Sequence, residues 1–176
     1  MTASPDWGKL LPTKDPAMIN VLIVYTSHTG NTKKMAEIIA ESATTAGATV
    51  LVRPAHEATN DELAAADAVV LGSPTYYGHS SGEMRHFIDH SVKLHGKLEG
   101  KVGAAFASSH NIGGGNETTI LDLLHALLIH GMVIQGNSSG DHYGPVAIGA
   151  PDARATRQCE ELGCRVVALA ARLQRA

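Results

Sequence analysis

Residues 19–47 read INVLIVYTSHTGNTKKMAEIIAESATTAG and set the pattern for the whole chain. The first seven are a short apolar run with β-branched residues, which predicts a strand buried on both faces. A loop of small polar residues follows, and residues 31–46 then place Met35, Ile38 and Ile39 on one side of a helix. A buried strand followed at once by a helix predicts a parallel sheet with crossover helices.

The same alternation of strands and helices continues along the chain. Further strands are predicted at 48–54, 67–73, 101–108 and 132–136, and further helices at 61–66, 82–95 and 152–174, with one that ends near 130. Right-handed crossovers predict an α/β fold in which a five-stranded parallel sheet has the order 2-1-3-4-5 and helices cover both faces. Residues 1–18 contain three prolines and no apolar period, so we expect an N-terminal arm at 1–18, or a disordered tail, and one domain at 19–176.

Composition narrows the functional class. The 176 residues carry a formal net charge of −3, which argues against a nucleic-acid partner. No apolar run approaches the ~18 residues of a membrane span, and the start of the chain lacks a basic region followed by an apolar one, so we expect neither membrane insertion nor secretion. Cys159 and Cys164 are five residues apart, which suits packing better than a redox or zinc pair and fits a cytoplasmic protein.

Ligands of such sheets bind at the carboxyl ends of the strands, so the loops there are the candidates for chemistry. The loop after the first strand offers Ser27, Thr29, Asn31 and Thr32 around Gly30, directly before a helix. Such a loop directs backbone N–H groups and the positive end of the helix dipole at one point, which predicts a phosphate site without a lysine. An ordinary N-cap is the alternative, but it needs only one such residue. The Walker A pattern is absent, which excludes nucleoside triphosphate hydrolysis.

Aromatic residues make up only 4% of the chain, yet three of its four tyrosines fall in these loops. Tyr76 and Tyr77 follow the third strand between Pro74 and Gly78, and Tyr143 follows the fifth. We interpret these tyrosines as flat faces for stacking on a planar ring. The alternative is that they anchor their loop on the next helix.

The loop after the fourth strand reads SSHNIGGGNE at 108–117. Three consecutive glycines let the main chain approach a ligand closely and leave its amides available. A flexible loop without a ligand is the alternative.

Several of these stretches resemble motifs of known families. The loop SHTGNT (27–32) looks like the phosphate loop of flavodoxins. More narrowly, the chain resembles the WrbA-type flavoproteins in GSPTYYG (72–78), SGEMR (81–85), FID (87–89), GGGNETTI (113–120), HGMVI (130–134) and YG (143–144). The resemblance covers about residues 19–173. It implies a flavodoxin-like three-layer sandwich that is homodimeric or homotetrameric and acts as an FMN-dependent NAD(P)H:quinone oxidoreductase.

The resemblance also implies roles for particular residues. The FMN phosphate is expected at Ser27, His28, Thr29, Gly30, Asn31 and Thr32. The isoalloxazine is expected against Pro74, Thr75, Tyr76, Tyr77, Gly78, Ser108, Ser109, His110, Gly113 and Gly114, to which we add Tyr143. His130 matches a family histidine that reaches the flavin of an adjoining subunit or the substrate above it. The residues themselves equally suit His130 as a helix C-cap.

Departures from the family concern the substrate sites more than the FMN site. Tyr76 stands where the family commonly has arginine, and the stretch after Asp89 is shorter and lacks an aromatic residue. A flavodoxin-type electron carrier without its own NAD(P)H site is therefore the alternative function, although a net charge of only −3 is modest for such a carrier. His86 and His90 share one helix face at a spacing that a metal pair would need, but solvated helix surface is the better interpretation.

Overall fold

The computed structural model of the protein describes residues 18–174, so the predicted arm lies outside the described residues except for Met18. In chain order the strands and helices are β1 (Asn20–Tyr25), α1 (Asn31–Thr45), β2 (Thr49–Pro54), α2 (Asn60–Ala65), β3 (Ala68–Pro74), α3 (Gly82–His90), β4 (Val102–Ser109), α4 (Asn116–Ile129), β5 (Val133–Ile134), β6 (Val146–Ile148) and α5 (Ala153–Leu173). Within the described range, no helix has the length and apolar character that crossing a membrane requires.

The sheet is parallel and has the strand order β2-β1-β3-β4-β5, which confirms the predicted α/β topology. The interior strand β1 is apolar from Val21 to Val24 because both of its faces are buried. Val21 and Ile23 point into the core beneath α1 and α5, whereas Leu22 and Val24 point into the core beneath α3 and α4. Each face of β1 is therefore covered, and alternate residues serve different cores.

The fifth strand position differs from the prediction of one strand at 132–136. β5 has only two residues, and β6 continues beside the same neighbour β4 after an excursion over residues 135–145. Polar and turn-forming residues begin at Gln135, and the Asn137 side chain donates to Gln158 of α5 (3.2 Å). The backbone thus leaves the sheet where the apolar pattern stops and returns where Val146 resumes it.

The helix predicted at 82–95 is also shorter than expected. α3 ends at His90, and residues Ser91–Leu94 form a 3-10 turn. The Ser91 hydroxyl donates to the carbonyl of Ile88 (2.6 Å), so a side chain competes for a carbonyl of the last helical turn. Gly96 then adopts a left-handed φ of +78° that reverses the chain.

Both cysteines lie on α5 and are free thiols. Cys159 is fully buried, and burial raises the pKa of its thiol to about 12. A neutral, inaccessible thiol agrees with the predicted packing role.

Candidate functional site

The loops that follow β1, β3 and β4 meet at one edge of the sheet and are joined by buried hydroxyl groups. The Thr26 and Ser81 hydroxyl oxygens are 2.8 Å apart, and the Ser81 amide donates to the Ser73 hydroxyl (2.9 Å). Thr32 of α1 and Ser108 of β4 are likewise 2.8 Å apart through their hydroxyl oxygens. These bonds fix the three loops relative to one another.

The first loop ends at an open helix N-terminus. Gly30 is the N-cap of α1 with a left-handed φ of +88°, and no side chain of the described residues caps this helix. Of the other helices, α2, α3 and α5 are capped by Thr59, Ser81 and Asp152, whereas α4 also begins after a glycine, Gly115, without a side-chain cap. The first N–H groups of α1 therefore remain available to an anion outside the helix, and the phosphate site at residues 27–32 stays a prediction.

Ser27 adds a second observation at the same place. Its Oγ is buried, yet it has no hydrogen-bond partner among residues 18–174. Buried hydroxyls without partners are rare, and an unmet donor points to a missing acceptor. The open helix end and the unmet hydroxyl together fit a phosphate group.

The second loop contains a two-residue turn that displays a tyrosine. Backbone bonds run both ways between Tyr76 and His79 (2.9 and 3.0 Å), and the turn residues Tyr77 and Gly78 have φ values of +49° and +80°. Tyr77 is the one non-glycine residue in the described part of the chain with a positive φ, and its side chain is fully exposed. It does not anchor the loop on a helix, which removes that alternative for Tyr77.

The neighbouring Tyr76 is oriented by the first loop. It is 45% exposed, and its ring meets the His28 ring edge-on at a centroid distance of 5.9 Å. His28 is itself exposed. The first and second loops are therefore in direct contact.

The third loop approaches the second one closely. A Cβ built on Gly115, whose φ is +99°, would lie 2.6 Å from the Gly78 Cα. The Thr75 amide donates to the Ser108 carbonyl (2.8 Å), while the Ser109 hydroxyl donates to the carbonyl of Asn111 within its own loop (3.0 Å). His110, Gly113 and Gly114 are exposed on this loop. The glycine run thus allows two loops to pack together.

Asp122 of α4 belongs to the site, and the sequence interpretation missed it. Its Oδ2 accepts from the Ser80 amide (3.0 Å) and the Ser80 hydroxyl (2.6 Å), and its Oδ1 accepts from Arg85 (2.7 Å). Burial opposes ionisation of Asp122, but the bonds from Ser80 and the charges of Arg85 and His79 outweigh it and lower its pKa. The sequence signal that could have found Asp122 is its position four residues after Thr118, which places both on the same face of the helix.

Tyr143 lies on the 135–145 excursion and is half-exposed. It borders a cleft of about 150 Å³ together with Glu117 and Ile120 at the start of α4. Tyr143 therefore lies beside the third loop's helix, and a contact with a ligand of the first two loops stays a prediction.

His130 is not near these loops within the chain. It is the C-cap of α4, whose N-terminus adjoins the site, and 14 helical residues span about 21 Å. Its Nε2 lies 2.8 Å from the Ser91 hydroxyl, and its Nδ1 is buried without a partner among the described residues. Burial, followed by the nearby His95, lowers its pKa. The C-cap interpretation agrees with this position, whereas a role at a neighbouring subunit stays a prediction.

His86 and His90 lie on an exposed face of α3 with ring centroids 4.2 Å apart. The described residues contain no group of three or more His, Cys, Asp or Glu side chains arranged for a metal ion. The candidate site of this chain is the edge of the sheet where the loops after β1, β3 and β4 meet.

Comparison with known proteins shows the family to which the chain is related. The flavodoxin domain model matches residues 22–113, from β1 into the third loop. The chain is 37% identical over 158 residues to a flavodoxin of Aquifex aeolicus (strain VF5), with 85% of each chain covered. It is 34% identical over 190 residues to an NAD(P)H dehydrogenase (quinone) of Archaeoglobus fulgidus, covering 89% of this chain and all of that relative.

Solved structures agree with these sequence relatives. The crystal structure of a WrbA-like flavodoxin from Agrobacterium tumefaciens superposes with a TM-score of 0.75 at 28% identity, covering 88% of this chain and 98% of that one. A flavodoxin from the domain Archaea superposes with a TM-score of 0.71 at 27% identity and covers 85% and 96%. The resemblance seen in the sequence motifs is thus confirmed, and the chain belongs to the flavodoxin family.

Proposed function

We propose that this chain binds FMN and passes electrons from NAD(P)H through the flavin to a quinone-type acceptor. The structural observation that carries the proposal is the buried Ser27 hydroxyl, which has no hydrogen-bond partner among residues 18–174 and belongs to the loop that leads to the uncapped N-terminus of α1. The reaction class comes from relatives named NAD(P)H dehydrogenase (quinone), which are 34–42% identical to this chain.

The phosphate of FMN would be held without a lysine. Ser27, Thr29 and Asn31 would donate to its oxygens together with the first amides of α1, and Gly30 leaves the approach free of a side chain. A charge near −2 suits the positive end of a helix dipole. The Thr32 hydroxyl is already paired with Ser108, so Thr32 contributes its amide more readily than its side chain.

The isoalloxazine ring would lie between the second and third loops. Residues 74–78 supply the exposed Tyr77 ring and the half-exposed Tyr76 ring, and residues 108–114 supply a glycine-rich backbone. Aromatic side chains of this kind stack on planar ligands. The paired backbone bonds between Tyr76 and His79 keep the second loop in shape before the ring arrives.

FMN, when bound, supplies the hydride and electron chemistry. The residues of this chain bind and orient it, and none of them needs to act as a nucleophile or a general base. Thr26, Ser73 and Ser81 are buried and bonded to one another, so they hold the first and second loops together.

The proposal also includes the oligomeric state and the cellular compartment of the protein. We propose a homodimer or homotetramer, because Val92, Leu128 and Ile129 are large apolar side chains exposed at the C-terminal end of α4 and the adjacent 3-10 turn. Such an assembly would bring His130, which follows Ile129, close to a partner copy. Two free cysteines fit the reducing cytoplasm.

An absorbance experiment tests the proposed function. The purified chain, supplemented with FMN and then separated from unbound flavin by gel filtration, should absorb near 370 and 450 nm, roughly where protein-bound flavins absorb. Anaerobic NADPH or NADH should bleach the 450 nm band within seconds, and benzoquinone should restore it.

Two other outcomes would contradict the proposal in different ways. A flavin that dithionite reduces but NADPH and NADH leave unchanged would indicate an electron carrier, which relatives named flavodoxin make the second candidate. A chain that stays colourless and does not bind added FMN would refute both functions.

A further inference from the structure

We propose that Asp122 is a positioning residue for the flavin site, holding the second loop (residues 74–81, which we name the tyrosine loop) in the shape that receives the isoalloxazine ring. This inference rests on the proposed FMN function. Nothing in the sequence motifs includes Asp122, and the claim comes from its contacts in the folded chain.

The Asp122 carboxylate uses both oxygens on one short stretch of chain. Oδ2 accepts from the amide and from the hydroxyl of Ser80, and Oδ1 accepts from Arg85, with His79 Nδ1 at 3.9 Å. Its side chain is 20% exposed, so water competes with these bonds only in part. Hydrogen bonds to an ionised carboxylate are about twice as strong as neutral ones.

Asp122 acts together with two threonines of the same helix. The Thr118 hydroxyl shares its proton between the carbonyls of Gly78 (2.7 Å) and Gly115 (2.9 Å). The Thr119 hydroxyl contacts the Gly115 carbonyl (2.8 Å) and the Thr75 hydroxyl (3.0 Å). We name these three residues, Thr118, Thr119 and Asp122, the α4 clamp. Thr119 contacts the start of the loop at Thr75, Thr118 contacts the turn at Gly78, and Asp122 contacts the end at Ser80. Tyr77 projects from between these attachment points.

The loop needs such a clamp because its backbone is strained. Tyr77 has a φ of +49°, which a residue with a side chain rarely adopts unless its surroundings enforce it. A loop already held in its binding shape loses less freedom when a ligand binds, which strengthens binding. The burial of the Ser80 amide makes Asp122 the acceptor on which the end of the turn depends.

The test compares Asp122→Asn with Glu41→Gln in the full-length chain. Both variants remove one carboxylate charge, but Glu41 is exposed in the second half of α1 and lies outside both the clamp and the three loops. FMN is titrated into each flavin-free protein, and binding is followed by quenching of flavin fluorescence. We expect Asp122→Asn to raise the FMN Kd about tenfold, the loss typical of one charge-assisted hydrogen bond, and Glu41→Gln to leave it within about twofold.

Two further readouts separate positioning from general stability. Amide hydrogen exchange over residues 75–81 of the flavin-free protein should be faster in Asp122→Asn, with the β1 and β3 amides unchanged. At saturating FMN, the visible circular dichroism of the bound flavin should differ from wild type, because the tyrosines around the ring have shifted. A merely structural role would move the melting temperature and neither of these signals.

The outcomes are distinguishable. An Asp122→Asn variant with wild-type FMN affinity, or with weaker affinity but wild-type exchange at 75–81, would overturn the inference while leaving the proposed function intact. Failure of the wild-type chain to bind FMN would refute the proposed function, and the exchange comparison would still show whether Asp122 holds the loop.

Discussion

At the scale of single residues, Ser27 is the side chain whose surroundings point most directly to a bound ligand. Its buried hydroxyl lacks a partner in the described chain, and leaving a buried donor unmet costs about 1–3 kcal/mol. We therefore predict that Ser27→Ala leaves the flavin-free protein as stable as wild type or stabilises it by up to about 1 kcal/mol, yet raises the FMN Kd roughly tenfold. Urea unfolding and FMN titration measure the two effects.

Ser138→Ala is the matched control, because Ser138 is exposed on the 135–145 excursion. It should change neither quantity. If Ser27→Ala instead destabilised the flavin-free protein by more than about 1 kcal/mol, the hydroxyl would have a structural partner and its assignment to the phosphate would fail.

At the scale of elements, the contact between α1 and α5 depends on a glycine. A Cβ built on Gly163 of α5 would lie 2.6 Å from the Ile39 carbonyl oxygen and 2.9 Å from the Ala43 amide nitrogen. These two atoms belong to the α1 backbone, which cannot move aside as a flexible side chain can. Gly163→Ala should therefore lower the free energy of unfolding by about 1–3 kcal/mol. Chemical denaturation measures this loss.

Gly82→Ala serves as its control, since Gly82 begins α3 without a left-handed φ, and a Cβ added there would meet nothing within 4 Å. That variant should be neutral or slightly stabilising. A Gly163→Ala protein as stable as Gly82→Ala would show that α1 and α5 can separate without loss.

Element by element, the sequence predicted what depends on neighbouring residues and missed what depends on distant ones. The loops at 27–32 and 74–78 are recognisable locally, because small polar residues, glycines and tyrosines occupy consecutive positions. Asp122 was missed because its partner Ser80 lies 42 residues away and only the fold brings them together. The interrupted fifth strand was missed for the same reason, since β6 is defined by its pairing with β4.

For the whole molecule, the proposed self-association makes a direct prediction. Ile129 is 72% exposed at the end of α4, beside the exposed Leu128. A charge placed in an apolar interface is costly, so Ile129→Glu should shift the protein from the oligomer to the monomer in sedimentation velocity. Ala153→Glu, an exposed change on the opposite layer, should not. A wild-type chain that sediments as a monomer at micromolar concentration would contradict the proposal.

His130 should make the stability of the whole molecule sensitive to acid. The Ser91 hydroxyl donates to Ile88, so it accepts from His130 Nε2–H, and the buried Nδ1 has no described acceptor to receive a second proton. Burial, followed by the nearby His95, lowers the pKa of His130 below its ordinary value of 6.5. Below about pH 6.5 the unfolded chain then binds more protons than the folded one, and protonation favours unfolding.

The free energy of unfolding should thus fall as the pH is lowered from 7.5 to 5.5, and less steeply in His130→Asn, as urea titrations at several pH values would show. The pKa values of Asp122 and Glu62 are also lowered, but these carboxylates reduce stability only nearer pH 4. They therefore do not contribute to the slope between pH 7.5 and 5.5. His125→Asn, an exposed change on the same helix, should keep the wild-type slope. A His130→Asn slope equal to that of wild type would show that the folded chain accepts the proton, and the buried Nδ1 would then have to find an acceptor.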